Sequence, residues 1–213
     1  MRIILLSGFL GSGKTTLLIQ LIDYLSRQTF KDDSGGERAA RIAIIENEIG
    51  SINLDSKMLS GKGFAMREML SGCICCSLQD NLAIEITKIT ETIDPDWLVI
   101  EATGLASARE VTAGLKSAID DRYYDGDIHS IVLVDASRLP MLLEKTKTMV
   151  SRQLERVDVL VLNKIDLVSD EEKSNCYERL REIKPDTRMV EMSAEKDVAD
   201  DTWQQVVTDP KAG

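Results

Sequence analysis

Residues 8–15 have the sequence GFLGSGKT, which matches the phosphate-loop pattern G-x-x-x-x-G-K-[ST] at each fixed position. The apolar run IILL at 3–6 comes just before the motif and predicts a buried strand, and residues 14–28 predict a helix with one apolar stripe. This order of strand, loop and helix is the context in which the pattern binds phosphate; a glycine-rich turn that matches by chance is the alternative. In that context the N–H groups of the loop surround a di- or triphosphate, Lys14 contacts its β- and γ-phosphates, and the Thr15 hydroxyl ligates Mg²⁺. The motif therefore predicts a nucleotide-binding fold.

Apolar strands and amphipathic helices alternate along the chain, which predicts an α/β fold of the P-loop NTPase type with three layers, a mostly parallel sheet with helices on both faces. The predicted strands cover residues 2–7, 41–45, 97–100, 128–135, 157–162 and 188–191. Residues 57–70 are less regular, and we expect an antiparallel strand or a hairpin there. The polar residues 31–38 predict a mobile loop. A length of 213 residues fits a single domain over 1–213.

Charge and composition argue against several classes of function. The formal net charge of -10 argues against a surface for nucleic acid or anionic membranes. The apolar runs are shorter than the roughly 18 residues that a membrane span needs. The apolar start of the chain leads directly into the phosphate loop, so we do not interpret it as a signal peptide. We expect a soluble cytoplasmic protein with no nucleic-acid or membrane partner.

A second motif, NKID at 163–166, follows another predicted strand. In GTPases the pattern N-K-x-D recognises guanine, because its carboxylate accepts hydrogen bonds from the ring N–H and the exocyclic amine. Adenine offers no such pair of donors, so ATP would leave a buried carboxylate unpaired. The alternative is that Asp166 only caps a helix. We predict GTP and GDP as ligands, and the predicted guanine contacts are Asn163, Lys164, Asp166, Ser193 and Ala194.

Acidic residues follow two of the predicted strands. Glu101 comes directly after residues 97–100 and could hold Mg²⁺ directly or through water, and Gly104 could offer its N–H to the γ-phosphate. Glu46 and Glu48 follow the second predicted strand and are candidates for a switch that senses the γ-phosphate. A solvated loop after the strand is the alternative for this pair.

Three of the four cysteines lie within four positions, as Cys73, Cys75 and Cys76. This spacing is unsuited to a disulfide framework, whereas three thiolates in one tight loop suit Zn²⁺, Cu(I) and other borderline or soft ions. A tetrahedral ion needs a fourth ligand, which could be Glu46, Glu48, water, the nucleotide or a partner. An incomplete ligand set suits a site that must release its metal. Buried structural cysteine is the alternative.

Six motifs occur in the order that is found in the CobW-like P-loop GTPases, the metal-chaperone relatives of HypB and UreG. They are GFLGSGKT at 8–15, ENEIG at 46–50, GCICC at 72–76, EATGL at 101–105, VDA at 134–136 and NKID at 163–166. The chain resembles this family from residue 1 to about 195. The resemblance implies a GTP-dependent carrier or inserter of a transition metal, commonly zinc or cobalt, that acts on a client metalloprotein or cofactor protein. It also suggests nucleotide-dependent pairing of two copies into a homodimer.

Two features depart from the family pattern. Many members continue into a C-terminal domain and a histidine-rich stretch, whereas we expect this chain to lack that domain, and its one histidine is His129. Residues 51–55, SINLD, are more polar than the usual glycine-and-valine segment, so the switch is expected to differ locally. Client contacts of the second domain are therefore not transferred to this chain.

The expected activity is slow hydrolysis of GTP, with Lys14 and Glu101 as the catalytic residues and Thr15 and Glu101 as the Mg²⁺ ligands. The predicted phosphate contacts are Gly8, Gly11, Ser12, Gly13, Lys14, Thr15, Thr16 and Gly104. Two rivals come from other classes of protein. A kinase of a small metabolite would hold its substrate near Glu101 and bind no metal at the cysteines, and a metal or redox sensor would keep GTP as a structural ligand.

Overall fold

Seven strands form one parallel sheet in the described part of the computed structural model, which comprises residues 1–32, 34–46, 65–68, 84, 86–102, 112 and 128–208. The described strands are β1 (Arg2–Gly8), β2 (Thr29–Lys31), β3 (Glu37–Ala39), β4 (Ile42–Glu46), β5 (Ala65–Glu68), β6 (Trp97–Glu101), β7 (Ile128–Asp135), β8 (Val159–Asn163) and β9 (Arg188–Glu191). The sheet has the order β5-β4-β6-β1-β7-β8-β9, and β2 and β3 form a separate antiparallel pair. Among the described residues, the α-helices are α1 (Lys14–Ser26), α2 (86–93), α3 (Leu139–Gln153), α4 (Asp170–Ile183) and α5 (Asp200–Val207).

Side chains of the central strands alternate between two apolar layers. Leu6 of β1 packs in the same cluster as Leu21 of α1, whereas the adjacent Leu5 packs with Ile89 of α2 on the opposite face. The strands β7 and β8 repeat this alternation, and their second face is covered by α3 and α4. Burying one such side chain contributes roughly 1.5–3 kcal/mol. The three-layer fold predicted from the sequence is therefore confirmed.

The strand β5 differs from the antiparallel pairing that we expected near 57–70. It pairs in parallel with β4, with Ala43 opposite Ala65 and Glu46 opposite Glu68. Residues 57–64, 69 and 70 lie outside the described residues. The parallel pairing places the end of β5 at the same edge of the sheet as the ends of β4 and β6.

The antiparallel pair lies elsewhere, in β2 and β3, where we predicted a mobile loop. The Arg38 guanidinium donates two hydrogen bonds to the Asp96 carboxylate, at 2.5 and 2.7 Å, and the backbone N–H of Arg41 donates to the same carboxylate at 2.7 Å. The carboxylate of Asp32 accepts from the N–H groups of Ser34 and Gly36 in the turn. The polar composition of this segment reflects the Arg38–Asp96 ion pair and the turn contacts, and residues 31–38 belong to a hairpin where we expected a loop.

The helix α5 packs against α1 and β7. The Trp203 ring stacks on Tyr24 with 5.9 Å between centroids, and Arg27 forms an ion pair with Asp200 at 3.0 Å. On the strand side, Nε2 of the buried His129 lies 2.6 Å from the carbonyl oxygen of Val206. None of the described helices combines the length and the apolar composition that crossing a bilayer requires.

Candidate nucleotide site

The carboxyl ends of the central strands gather the predicted site residues at one edge of the sheet. Residue pairs in the β-ladders place Leu6 beside Glu101 and Asp135 beside Asn163. Ligands bind at this edge in open parallel sheets, because the loops that follow the strands open toward a shared crevice. The phosphate loop leaves the same edge from β1.

The phosphate loop takes a backbone conformation that only glycine adopts readily. Gly8, Gly11 and Gly13 have φ of 143°, 76° and 96°. A Cβ on Gly13 would lie 2.5 Å from Nδ2 of Asn163, and one on Gly8 would collide with the Leu133 carbonyl. Glycine is thus required for both the φ angles and the close approach of β7 and β8 to the loop.

Lys14 is the first residue of α1, and its side chain folds back over the loop. It is 8% exposed, and its ammonium donates to the carbonyls of Gly8 and Phe9, each at 3.2 Å. A buried ammonium at a helix N-terminus beside loop N–H groups is a site for a multiply charged anion. Thr16 is exposed in the same first turn, where a phosphate could reach it.

A hydroxyl and a carboxylate meet where Mg²⁺ was predicted. Oγ1 of Thr15 donates to Oε1 of Glu101 at 3.2 Å, and Glu101 is only 4% exposed. Two hard oxygen donors next to a phosphate loop fit Mg²⁺, which prefers one or two protein oxygens together with nucleotide phosphates. Backbone register puts Glu46 directly beside Glu101 at the end of β4.

Asn163 joins the phosphate loop to the two predicted guanine loops. Its side chain is buried, with Nδ2 donating to the Ser12 carbonyl at 2.8 Å and Oδ1 accepting from the Ala194 N–H at 2.8 Å. One amide thus bonds to an acceptor that lies 151 residues earlier in the chain and to a donor that lies 31 residues later. Both of its polar atoms are used within the protein, so Asn163 fixes the spacing between the phosphate and base parts of the site.

Lys164 also supports the phosphate loop. Its backbone is left-handed, with φ of 60°, and its ammonium donates to the Gly11 carbonyl at 2.7 Å. The same ammonium forms an ion pair with the buried Asp135 at 2.9 Å. The aliphatic part of Lys164 therefore crosses the gap between β8 and the loop, where it could cover one face of a base.

Asp166 lies in the short 3-10 helix Ile165–Leu167 with its carboxylate exposed to the edge of the site. The hydroxyl of Ser193 donates to its Oδ1. This hydrogen bond has the largest effect and lowers the pKa of the Asp166 carboxyl, and a second hydrogen bond from the backbone N–H of Asp166 lowers the pKa further. The carboxyl is therefore ionised at neutral pH. The following helix α4 is capped by Ser169 and Glu172 instead, so the helix-cap alternative for Asp166 does not hold for α4.

Three residues that we did not include among the predicted contacts also shape the site. Asp135 pairs with Lys164, Arg138 donates to the Leu10 carbonyl at 3.0 Å, and Gln20 of α1 bonds to the loop after β9. Asp135 could have been predicted from the sequence, because it is an acidic residue at the end of an apolar strand, which is a sequence signal for a site residue. Arg138 and Gln20 had none, since their partners are backbone atoms far away in sequence.

Some predicted site residues lie outside the residues that the structure describes. These are Glu48, Cys73, Cys75, Cys76 and Gly104, and for Glu46 only the backbone is described.

A family model for the CobW/HypB/UreG nucleotide-binding domain matches residues 2–191. The chain belongs to this family. It is 30% identical over 186 residues to the zinc chaperone YjiA of Escherichia coli, covering 84% of this chain and 53% of that protein. It is 27% identical over 221 residues to the zinc-regulated GTPase metalloprotein activator 1 of Dictyostelium discoideum, covering 87% of this chain and 44% of that protein.

Among solved structures, the Zn(II)-bound YjiA GTPase from E. coli matches with a TM-score of 0.55 and 27% identity, covering 85% of this chain and 54% of that one. The chain therefore spans about half the length of the curated relatives that it matches. Membership of the family agrees with the nucleotide site that the loops around β1 and β8 form.

Proposed function

We propose that the chain is the GTP-binding and GTP-hydrolysing part of a metallochaperone. It would bind a transition metal, Zn²⁺ or Co²⁺, at Cys73, Cys75 and Cys76, and deliver it to a client metalloprotein or cofactor protein in a nucleotide-dependent way. The observation that carries the proposal is the link that Asn163 makes between the phosphate loop and the Asp166 and Ala194 loops.

The nucleotide part of the proposal rests on what these residues can bind. Lys14 offers a buried ammonium to the β- and γ-phosphates, and Thr15 with Glu101 offers oxygens to Mg²⁺. The ion would supply electrostatic stabilisation of the phosphates when bound. The ionised Asp166 would accept two hydrogen bonds from guanine, which adenine cannot donate. These contacts favour GTP and GDP over ATP and ADP.

The metal part rests on chain length and on the relatives. The strand β5 ends at Glu68, and Cys73 follows five residues later. The length of five residues of chain therefore keeps Cys73 within roughly 18 Å of the end of β5. That strand end lies two strands away from Glu101. Two relatives are named zinc chaperone and zinc-regulated activator, and zinc suits a thiolate set. Nucleotide state could therefore alter metal affinity through the edge of the sheet.

The decisive experiment measures Zn²⁺ and Co²⁺ affinity of the chain with a non-hydrolysable GTP analogue, with GDP and without nucleotide. We expect affinities that differ at least about fivefold between states, the lower range of allosteric coupling, and metal should change GTP affinity by the same factor. Equal metal affinities in all three states would contradict the proposal.

Two variants make this measurement specific. Lys14→Ala should lose nucleotide binding and the coupling, and should keep the metal affinity of the nucleotide-free protein. Cys75→Ser should weaken metal binding, whereas the matched control Cys176→Ser, at a buried thiol that bonds to the Ala136 carbonyl, should leave metal binding unchanged. Phosphate release should be slow without a partner, on the order of 10⁻⁴ s⁻¹ as in small GTPases. If GTP is bound without any release, a nucleotide-bound sensor replaces the chaperone.

The remaining parts of the proposal concern the setting of the protein. We propose a single GTPase domain over residues 1–213 that acts in the cytoplasm and pairs into a homodimer when GTP is bound. Analytical ultracentrifugation with the GTP analogue and with GDP checks the pairing. The same sedimentation coefficient in both states would contradict it.

A further inference from the structure

Gln20 lies on α1 six residues after Lys14, and its side-chain amide reaches the loop that follows β9. Its Nε2 donates to the carbonyl of Ala194 at 2.5 Å and to that of Lys196 at 3.0 Å. Its Oε1 accepts from the backbone N–H of Val198 at 3.3 Å. A single side chain therefore holds three backbone groups of residues 194–198 against the helix that begins in the phosphate loop.

The peptide groups around Ala194 are fixed from two directions. From the side of β8, Asn163 accepts a hydrogen bond from the N–H of Ala194. From the side of α1, Gln20 donates a hydrogen bond to the carbonyl of Ala194. Ser193, immediately before it, donates its hydroxyl to Asp166. Displacement of this loop would thus move Ser193 away from the carboxylate that the proposed function assigns to guanine.

We propose that Gln20 is a positioning residue for guanine selectivity. It holds residues 193–198 so that Ser193 and Ala194 keep Asp166 and Asn163 in the geometry that accepts guanine. This inference rests on the proposed guanine-nucleotide function. It predicts an effect on the base and little effect on phosphate binding, because Lys14 and the phosphate-loop glycines have their own contacts.

Two substitutions at this position separate positioning from general support of the fold. Gln20→Met keeps the size and unbranched shape of the side chain and removes all three hydrogen bonds. Gln20→Glu keeps an acceptor for the Val198 N–H and places a negative oxygen against two carbonyls. Glutamine, methionine and glutamate have similar helix propensities, and Gln20 is half-buried on the helix surface, so both variants should fold.

The experiment measures the dissociation constants of GDP and ADP by calorimetry for the wild type, both variants and the control Gln204→Ala, at an exposed glutamine of α5. For Gln20→Met we expect GDP to bind roughly tenfold more weakly, as for the loss of one or two net hydrogen bonds. ADP affinity should change less than about twofold, so the ratio of GDP affinity to ADP affinity falls. Gln20→Glu should lower the ratio further, and Gln204→Ala should leave it unchanged.

The outcomes separate this inference from the proposed function. A wild-type chain with no preference for GDP over ADP would overturn both. A wild-type preference that persists unchanged in Gln20→Met and Gln20→Glu would overturn the role of Gln20 alone. A parallel loss of GDP and ADP affinity would also overturn it, because that result assigns Gln20 to general support of α1.

Discussion

Asn163 and Asp166 have different roles in the proposed base site. Both polar atoms of Asn163 are occupied by Ser12 and Ala194, so this side chain maintains the distance between loops. The exposed carboxylate of Asp166 takes one hydrogen bond from Ser193 and keeps further acceptor capacity for a ligand. Selectivity for the base is therefore expected to reside in Asp166.

Asp166→Asn should reverse the preference for the base. The amide offers one donor and one acceptor, which suits xanthine, whose second carbonyl replaces the exocyclic amine of guanine. We expect GDP to bind on the order of 100-fold more weakly, because one charge-assisted hydrogen bond is lost and the other becomes a neutral one, and xanthosine diphosphate to bind more tightly. Competition calorimetry measures both, with Asp186→Asn at an exposed turn as the control. Unchanged GDP affinity would remove Asp166 from the base site.

Glu101→Gln should reduce the benefit that Mg²⁺ gives to GTP binding. The neutral amide removes the charge from the group that accepts the Thr15 hydroxyl, so the ion loses a buried anionic partner. In the wild type we expect removal of Mg²⁺ with a chelator to weaken GTP binding at least about tenfold, and in the variant the effect should be smaller. Magnesium titrations monitored by a fluorescent GTP analogue give both values. The exposed Glu182→Gln should match the wild type, and an identical Mg²⁺ dependence in Glu101→Gln would argue against Glu101.

At the scale of elements, the hairpin of β2 and β3 is held to the sheet by Asp96. Burial raises the pKa of this carboxyl, but the hydrogen bonds from the Arg38 guanidinium and the Arg41 N–H and the positive charges of both arginines together lower it by more, so the net pKa lies below the ordinary 3.8. A carboxyl with a lowered pKa in the fold stabilises it at pH values above 3.8 and loses that contribution as the pH falls through the folded-state pKa.

Asp96→Asn should therefore destabilise the fold at neutral pH by about 1–2 kcal/mol, because the ion pair with Arg38 is lost while one hydrogen bond persists. The difference in the free energy of unfolding between wild type and variant should shrink as the pH falls below about 3.8, where Asp96 of the unfolded chain takes up a proton, and should be lost as the pH falls through the lower folded-state pKa. Urea titrations at pH 7 and pH 3 measure it. Asp94→Asn is the matched control, since its side chain is 73% exposed and pairs with Arg41 at the surface. Equal destabilisation by both substitutions would contradict a special role for Asp96.

The elements that were predicted correctly are those with a local signature in the sequence. Strands such as β1 and β8 are continuous apolar runs, and the glycines, Lys14 and Thr15 lie within eight consecutive positions. Gln20 was missed because its partner Ala194 lies 174 residues away. The hairpin was missed because each of its strands has only three residues and its contact with the sheet, from Arg38 to Asp96, spans 58 residues. The pairing of β5 was not predicted for the same reason, since no local pattern distinguishes a short parallel edge strand from an antiparallel one.

At the scale of the whole molecule, the candidate nucleotide site joins residues near the start of the described chain to residues after β8. Residues from β1, α1, β6, β7, β8 and the loop after β9 lie around it, so we expect a bound ligand to stabilise the packing of these segments. A ligand that binds only the folded state stabilises it by about 2.7 kcal/mol at a concentration 100 times its dissociation constant.

GDP at that concentration should raise the melting temperature by roughly 5–10 °C for a chain of this length. ADP at the same concentration should raise it much less, and Lys14→Ala should show no shift with either nucleotide. Differential scanning fluorimetry gives the three comparisons. Equal shifts with GDP and ADP would contradict guanine selectivity in the whole protein.

The contact between His129 and Val206 makes the last described helix observable by spectroscopy. The chain contains one histidine, so its imidazole gives a single set of ring signals in an NMR spectrum without any labelling of other residues. Because its Nε2 lies against a carbonyl of α5, those signals report whether this helix remains attached to β7. His129 is thus an intrinsic spectroscopic reporter on α5, which lies far from the phosphate loop in the sequence. Its signals can be used to follow changes in α5 that nucleotide or metal binding causes.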